Sequence, residues 1–180
     1  MADKNSDDFR TLLENHDNMI IQKWNDKVHP EDTVMFLGDF AFGDKKRAEE
    51  LGRKLNGNKV IVLGNHDNRK YNSDGTIKYN GTVEAHFKAC GFYRVSFEPI
   101  IISYRGFKII CSHEPHQKYL STDTTQLYSL GDFYSVFGHC HSKGSSFEID
   151  GKSCCCCIDM PNMELAPIEA DTIISKFKKI

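Results

Sequence analysis

No stretch of this 180-residue chain stays apolar for long enough to cross a bilayer. The opening residues, MADKNSDDFR, are polar and hold no signal-peptide core. A dominant charge is also missing: 23 Lys and Arg stand against 25 Asp and Glu, for a formal net charge of -2. That balance gives no electrostatic reason to expect nucleic acid or an anionic membrane as partner. The chain shows neither a basic stripe nor an aromatic platform of the kind that grips a nucleic-acid strand. Internal repeats and linkers are absent as well. There is no disulfide framework, because the seven cysteines are odd in number and four of them are consecutive, Cys154 to Cys157. Free thiols at this density point to a reducing compartment, so a cytoplasmic location is expected. The remaining composition, 39% hydrophobic and 27% charged, is that of an ordinary soluble globule. The length suits one domain, taken as residues 1–180.

Apolar residues Phe9, Leu12, Leu13, Ile20, Trp24 and Val28 fall near helical spacing, with Asp7 or Asp8 as cap and Pro30 as the stop. Thr33 to Leu37 and Lys59 to Leu63 are short continuous apolar runs rich in β-branched residues, the pattern of buried strands. Between them Lys45 to Asn56 reads as a helix stopped by Gly57. Strand, helix, strand favours a parallel pair with a crossover. Residues 64–81 read as a long polar loop and Thr82 to Cys90 as a helix. Phe92 to Phe97, Ile100 to Tyr104, Phe107 to Ser112 and Tyr134 to Phe137 read as strands, with a hairpin at Arg105-Gly106. A second loop-rich stretch covers His113 to Asp132. Asp150-Gly151 marks a further hairpin between Ser146–Ile149 and Lys152–Ile158, and Ile168 to Lys179 reads as a closing helix.

One arrangement recurs. Buried strands end in Gly38-Asp39, in Gly64-Asn65-His66-Asp67, in Ser112-His113 and in Gly138-His139-Cys140-His141. Ligands of α/β proteins gather at the carboxyl ends of strands. Asp39, Asn65, His113, His139 and His141 supply one carboxylate, one amide oxygen and three imidazoles. That donor set suits manganese, iron, zinc or nickel better than a structural thiolate zinc site.

In order and context these four motifs resemble those of the calcineurin-like metallophosphoesterases, in a branch of small bacterial and phage enzymes. The likeness runs from about Asn15 to the last strand. It implies two mixed β-sheets packed face to face and flanked by helices. It implies a pair of divalent metals, manganese first among the candidates, with Asp39 bridging both. Asn65, His113 and His139 would complete one metal site and His141 would serve the other. His66 would stand beside the substrate, with Asp67 orienting its imidazole. The implied activity is hydrolysis of a phosphodiester or small phosphomonoester through a metal-activated water. Arg69, just after the Gly-Asn-His-Asp loop, is a candidate phosphate contact or a plain exposed charge. His116, three residues after His113, is a candidate substrate contact beside the preferred reading of a solvated loop histidine.

The family's first motif, Asp-x-His at the end of an N-terminal strand, has no counterpart here. His16-Asp17 is in the wrong order and lies within the first helix. Three accounts fit: a truncated sequence or mis-called start, which comes first, a short form with one intact metal site, or a strand donated by another chain. For the sequence as it stands the expectation is a fold without that first strand, one well-formed metal site and impaired hydrolysis. The open sheet slot makes self-association an expectation too. A non-catalytic binding module on the same scaffold is the alternative. The cysteine run carries no metal reading. In a strand, Cys154 and Cys156 face one way, Cys155 and Cys157 the other, so four thiolates cannot converge. They read as small buried hydrophobes, and Cys140 as a spacer between histidines. His29 and His86 need no role.

Overall fold

The computed structural model describes residues 7–67, 70–115, 133–140, 153–159 and 163–177. Helix α1 (Asp7–Lys27) leads into strand β1 (Thr33–Phe36), helix α2 (Lys45–Lys54) and strand β2 (Asn58–Val62). A two-residue hairpin, β3 (Lys70–Tyr71) and β4 (Ile77–Lys78), precedes helix α3 (Gly81–Ala89) and strand β5 (Phe92–Ser96). Then come β6 (Ile100–Tyr104), β7 (Phe107–Ser112), β8 (Tyr134–Phe137), β9 (Ser153–Cys155) and helix α4 (Ala170–Lys176).

Two larger sheets result. The first has strand order β1-β2-β5 and is parallel throughout, because each strand is joined to the next through a helix. The second, β6-β7-β8-β9, is mixed: the Arg105-Gly106 turn makes β6 and β7 antiparallel, and β8 and β9 continue parallel to β7. The two-sheet expectation holds, with mixed pairing confined to the second sheet. β1 is an edge strand; among the described residues nothing pairs with its other side.

The sheets meet face to face. Val60 and Val62 of β2 pack with Ile100 of β6, joined by Met35 and Ile102. On its other face the first sheet carries α2 and α3 over a core of Ile61, Leu63, Val83, Phe87, Cys90 and Phe92. Ile61 and Leu63 are fully enclosed, and each such side chain contributes about 1.5–3 kcal/mol by leaving water. Helix α1 is anchored at its C-terminal end by Trp24, which stacks on Phe36 and donates its indole N–H to the Asn56 carbonyl at 3.0 Å. Asp44 caps α2 by accepting from the Lys46 amide. That helix ends at Lys54, two residues short of the sequence reading. Leu55 turns to extended backbone and is buried with Trp24 and Val28, so packing overrides its helical propensity.

The cysteine run divides as alternation requires. Cys154 is buried with Ile109, Tyr134 and Val136, and Cys156 packs beside it. Cys155 is buried with Phe137 and Met163, next to Cys157 and Cys140. All seven cysteines are free. No helix among the described residues is long and apolar enough to cross a membrane.

Candidate metal centre

Four strands run in register with their carboxyl ends together: β1 and β2 in the first sheet, β7 and β8 in the second. The turns that follow them carry Asp39, Asn65, His113 and His139. Leu37 ties the sheets to each other. Its carbonyl lies 2.7 Å from His113 Nδ1, and a carbonyl only accepts, so Nδ1 carries the proton. In the neutral ring that ligates a metal, Nε2 is then a lone pair aimed away from that anchor.

Around it stand two oxygens, which only accept, and the Nδ1 of a second imidazole. Asn65 Oδ1 is 2.8 Å from His113 Nε2, His139 Nδ1 is 3.1 Å away and Asp39 Oδ2 is 3.3 Å away. Asp39 Oδ2 is buried and has no hydrogen-bond donor among the described residues. A buried, unpaired carboxylate oxygen is costly. A proton on Nε2 serves one of these acceptors; a divalent cation serves all of them at once. Asp39, His113 and His139 each offer a ligand atom, and these atoms lie within 4.8 Å of one another. Carboxylate, amide oxygen and imidazole together fit a first-row divalent ion, and the bond from His113 Nδ1 to a backbone carbonyl is the usual support for a ligating imidazole.

The backbone is bent to reach this geometry. Asp39 has φ 54 and His139 φ 65, both left-handed. The amide of Cys140 donates to the Gly138 carbonyl at 2.7 Å, closing a three-residue turn around His139. Strain of this kind persists where the surroundings over-determine it, commonly at functional sites. The two glycines of the first sheet's loops are required by closeness. A Cβ on Gly38 would lie 2.5 Å from the Gly64 nitrogen, and one on Gly64 would lie 2.1 Å from Asp39 Oδ1. Only bare backbones let these turns touch.

Asp67 holds them there. Its buried carboxylate accepts from the amides of Asp39 at 2.8 Å, Phe40 at 3.2 Å and Gly64 at 2.8 Å. The sequence reading had Asp67 orient the His66 imidazole. Among the described residues its hydrogen bonds all come from backbone amides, so it joins the two loops. Burial pushes the Asp67 pKa up and the charge of Asp39 adds to this; the Gly64, Asp39 and Phe40 amides oppose it, and the net shift is upward. For Asp39 burial also pushes up, but the contact with His113, the His66 amide and the two imidazoles outweigh it, and its pKa is lowered. The surroundings thus favour the charged form of Asp39 and oppose that of Asp67.

His66 is exposed at the mouth of this centre, its amide donating to Asp39 Oδ1 at 2.9 Å. Its ring meets the edge of Phe42, centroids 5.0 Å apart. The sequence reading missed Phe42, the Leu37 carbonyl and the loop-joining role of Asp67. Arg69, His116 and His141 lie outside the described residues.

Comparison with known proteins follows the same lines. An uncharacterized protein of Methanocaldococcus jannaschii, MJ1445, is 38% identical over 73 residues, which is 38% of this chain and 40% of that protein. The match thus spans well under half the length of this curated relative. A crystal structure of AQ665 from Aquifex aeolicus, a protein of unknown function, superposes with a TM-score of 0.59 at 20% identity, covering 88% of this chain and 83% of that one. It shares the fold. The structure of an archaeal phosphodiesterase aligns with a TM-score of 0.49 at 20% identity, over 83% of each chain. The family model for calcineurin-like phosphoesterases matches residues 3–166. With the match running through every turn that bears a donor, the chain belongs to the calcineurin-like phosphoesterase family.

Proposed function

We propose that this protein is a metal-dependent phosphoesterase acting on a phosphodiester or a small phosphomonoester, with manganese as the working cation. One observation carries the reading. Asp39 Oδ2 is buried, has no hydrogen-bond donor among the described residues and faces His113 Nε2 at 3.3 Å, a pairing that a cation resolves. Asp39, Asn65, His113 and His139 would hold that ion. Once bound, it supplies charge stabilisation for a phosphoryl oxygen and a nucleophile at neutral pH.

The chain's own residues do the rest. Asp39 stays ionised and sets the charge of the site. His66 stands exposed with its backbone fixed on Asp39 Oδ1, placed to donate a proton to the leaving oxygen. Asp67 keeps the two loops in contact through three amides. Arg69 and His116 are proposed as substrate contacts, and His141 as a ligand of a further cation beside Asp39.

The test is hydrolysis of bis(p-nitrophenyl) phosphate and p-nitrophenyl phosphate in manganese, with chelator and Asp39→Asn as controls. Turnover that the chelator abolishes and that Asp39→Asn lacks supports the reading. Tight manganese binding with no turnover of either ester would instead favour the non-catalytic module.

A further inference from the structure

The loop that carries Asp39 also carries two phenylalanines, and they part company. Phe40 turns inward, edge-on to Phe36 at 5.3 Å and to Phe92 at 5.2 Å. Phe42, two residues on, is 68% exposed, the most exposed of the large apolar side chains described. A solitary exposed apolar residue is ordinary and argues nothing alone. The position of this one does. Its ring contacts the His66 imidazole at 5.0 Å. His66 in turn is bonded through its amide to Asp39 Oδ1 at 2.9 Å. Phe42 thus stands one residue removed from the carboxylate at the heart of the centre.

The span that presents it is short and held at both ends. On one side the Asp39 and Phe40 amides are bonded to Asp67. On the other, Asp44 caps α2 by accepting from the Lys46 amide. Next to Phe42, Gly43 has φ 98, and among the described residues a Cβ built there meets nothing within 4 Å. A tethered ring beside open space is a stacking platform: it loses little freedom on binding, and its face offers no polar atom that water must leave. Because His66 lies between Asp39 and Phe42, the substituent of an ester bound at the centre would meet Phe42 if it left on the His66 side.

We infer that Phe42 is a specificity residue, and that the site takes phosphate esters whose alcohol carries a planar aromatic group, a nucleobase being the natural example. The inference rests on the phosphoesterase reading and narrows it to a substrate class. A single ring of this kind serves a small ester and gives no continuous track for a polymer, consistent with the lack of a basic stripe.

The experiment compares two ligands that differ only by the base. Binding of adenosine 5′-monophosphate and of ribose 5-phosphate is measured calorimetrically on the full chain with manganese, for the wild type, Phe42→Ala and Phe42→Trp. Base–aromatic stacking predicts that the wild type prefers the nucleotide by about tenfold. Phe42→Ala loses that preference and leaves ribose 5-phosphate affinity unchanged; Phe42→Trp keeps it. Equal affinity for both ligands in the wild type overturns the inference. So does an equal weakening of both ligands by Phe42→Ala, which assigns Phe42 to supporting His66. In either case hydrolysis of the nitrophenyl esters still stands as evidence for the phosphoesterase. If neither ligand binds and no ester is hydrolysed, the underlying reading fails along with the inference.

Discussion

Two parts of this chain are dense in side chains that metals favour, and they behave in opposite ways. The turns after β1, β2, β7 and β8 bring Asp39, Asn65, His113 and His139 from four distant points onto one spot. The run Cys154 to Cys157 places four thiols side by side in sequence and then splits them between two layers of core. Residue type is equally suggestive in both. Direction decides: strand ends converge, whereas neighbours within a strand diverge. Cys154 and Cys156 are 3.6 Å apart between sulfurs on one face, and their neighbours on that face are apolar.

The largest effect that would break this contrast lies at Asp39. In the wild type, manganese at about a hundred times its dissociation constant should stabilise the fold by about 2.7 kcal/mol. Asp39→Asn removes the charge and puts an amide donor where Oδ2 now faces lone pairs. The metal-free variant should melt above the metal-free wild type, and manganese should no longer raise its melting temperature. Thermal unfolding with and without manganese reads both. A metal shift that survives in Asp39→Asn would mean the cation sits elsewhere.

Asp67 comes next in size. Asp67→Ala leaves the amides of Asp39, Phe40 and Gly64 without their acceptor, in a place closed to water. A loss of about 2–4 kcal/mol in urea unfolding is expected, together with weaker manganese binding, since the two loops are no longer joined. Should Asp67→Ala cost under about 1 kcal/mol, the carboxylate is not what holds the loops.

Much of this was legible beforehand, for reasons that can be named. The strands Ile100–Tyr104, Phe107–Ser112 and Tyr134–Phe137 were read at their observed bounds, because each is a short apolar run closed by a glycine turn or a polar stop. The convergence of Asp39, Asn65, His113 and His139 was legible because parallel strands share a carboxyl end. The β3–β4 hairpin was not. Its strands are two residues long, too short for any periodicity to mark them. Its shape comes from the turn closed by the Asn72 amide on the Thr76 carbonyl, with Gly75 at φ 85 and Asp74 accepting from Thr76. The role of Asp67 was hidden for a different reason. An aspartate after a histidine suggests a side-chain partner, while its actual partners are amides of a loop 27 and 28 residues earlier. Phe42 was hidden because nothing local distinguishes the phenylalanine that turns in from the one that turns out.

A smaller effect tests the other half of the comparison. Cys154→Ala and Cys155→Ala each remove a buried sulfur from an apolar cluster. Each should cost about 1 kcal/mol in urea unfolding and leave the manganese shift unchanged. A loss of metal binding in either variant would return the thiols to the centre.

The smallest effect concerns thiols outside the run, and it asks whether cysteine behaves as a buried hydrophobe throughout this fold. Burial raises the Cys90 pKa from 9.0 to about 11, with the charge of Glu49 adding to it, and burial alone raises Cys111 to about 12. Above pH 9 the unfolded chain releases these protons while the folded chain retains them, so the unfolded state gains. The stabilisation is complete below the ordinary thiol pKa and is lost as pH rises toward the folded values, at up to about 1.4 kcal/mol per pH unit for each thiol. Urea midpoints at pH 8, 9 and 10 should therefore fall more steeply for the wild type than for Cys111→Ala. The variant starts lower because of the cavity it creates, so the slope is the quantity to compare. Parallel slopes would show that the Cys111 thiol ionises as easily in the folded protein as out of it. The view of Cys90 and Cys111 as sealed, inert core would then fail at a thiol that is only 1% exposed.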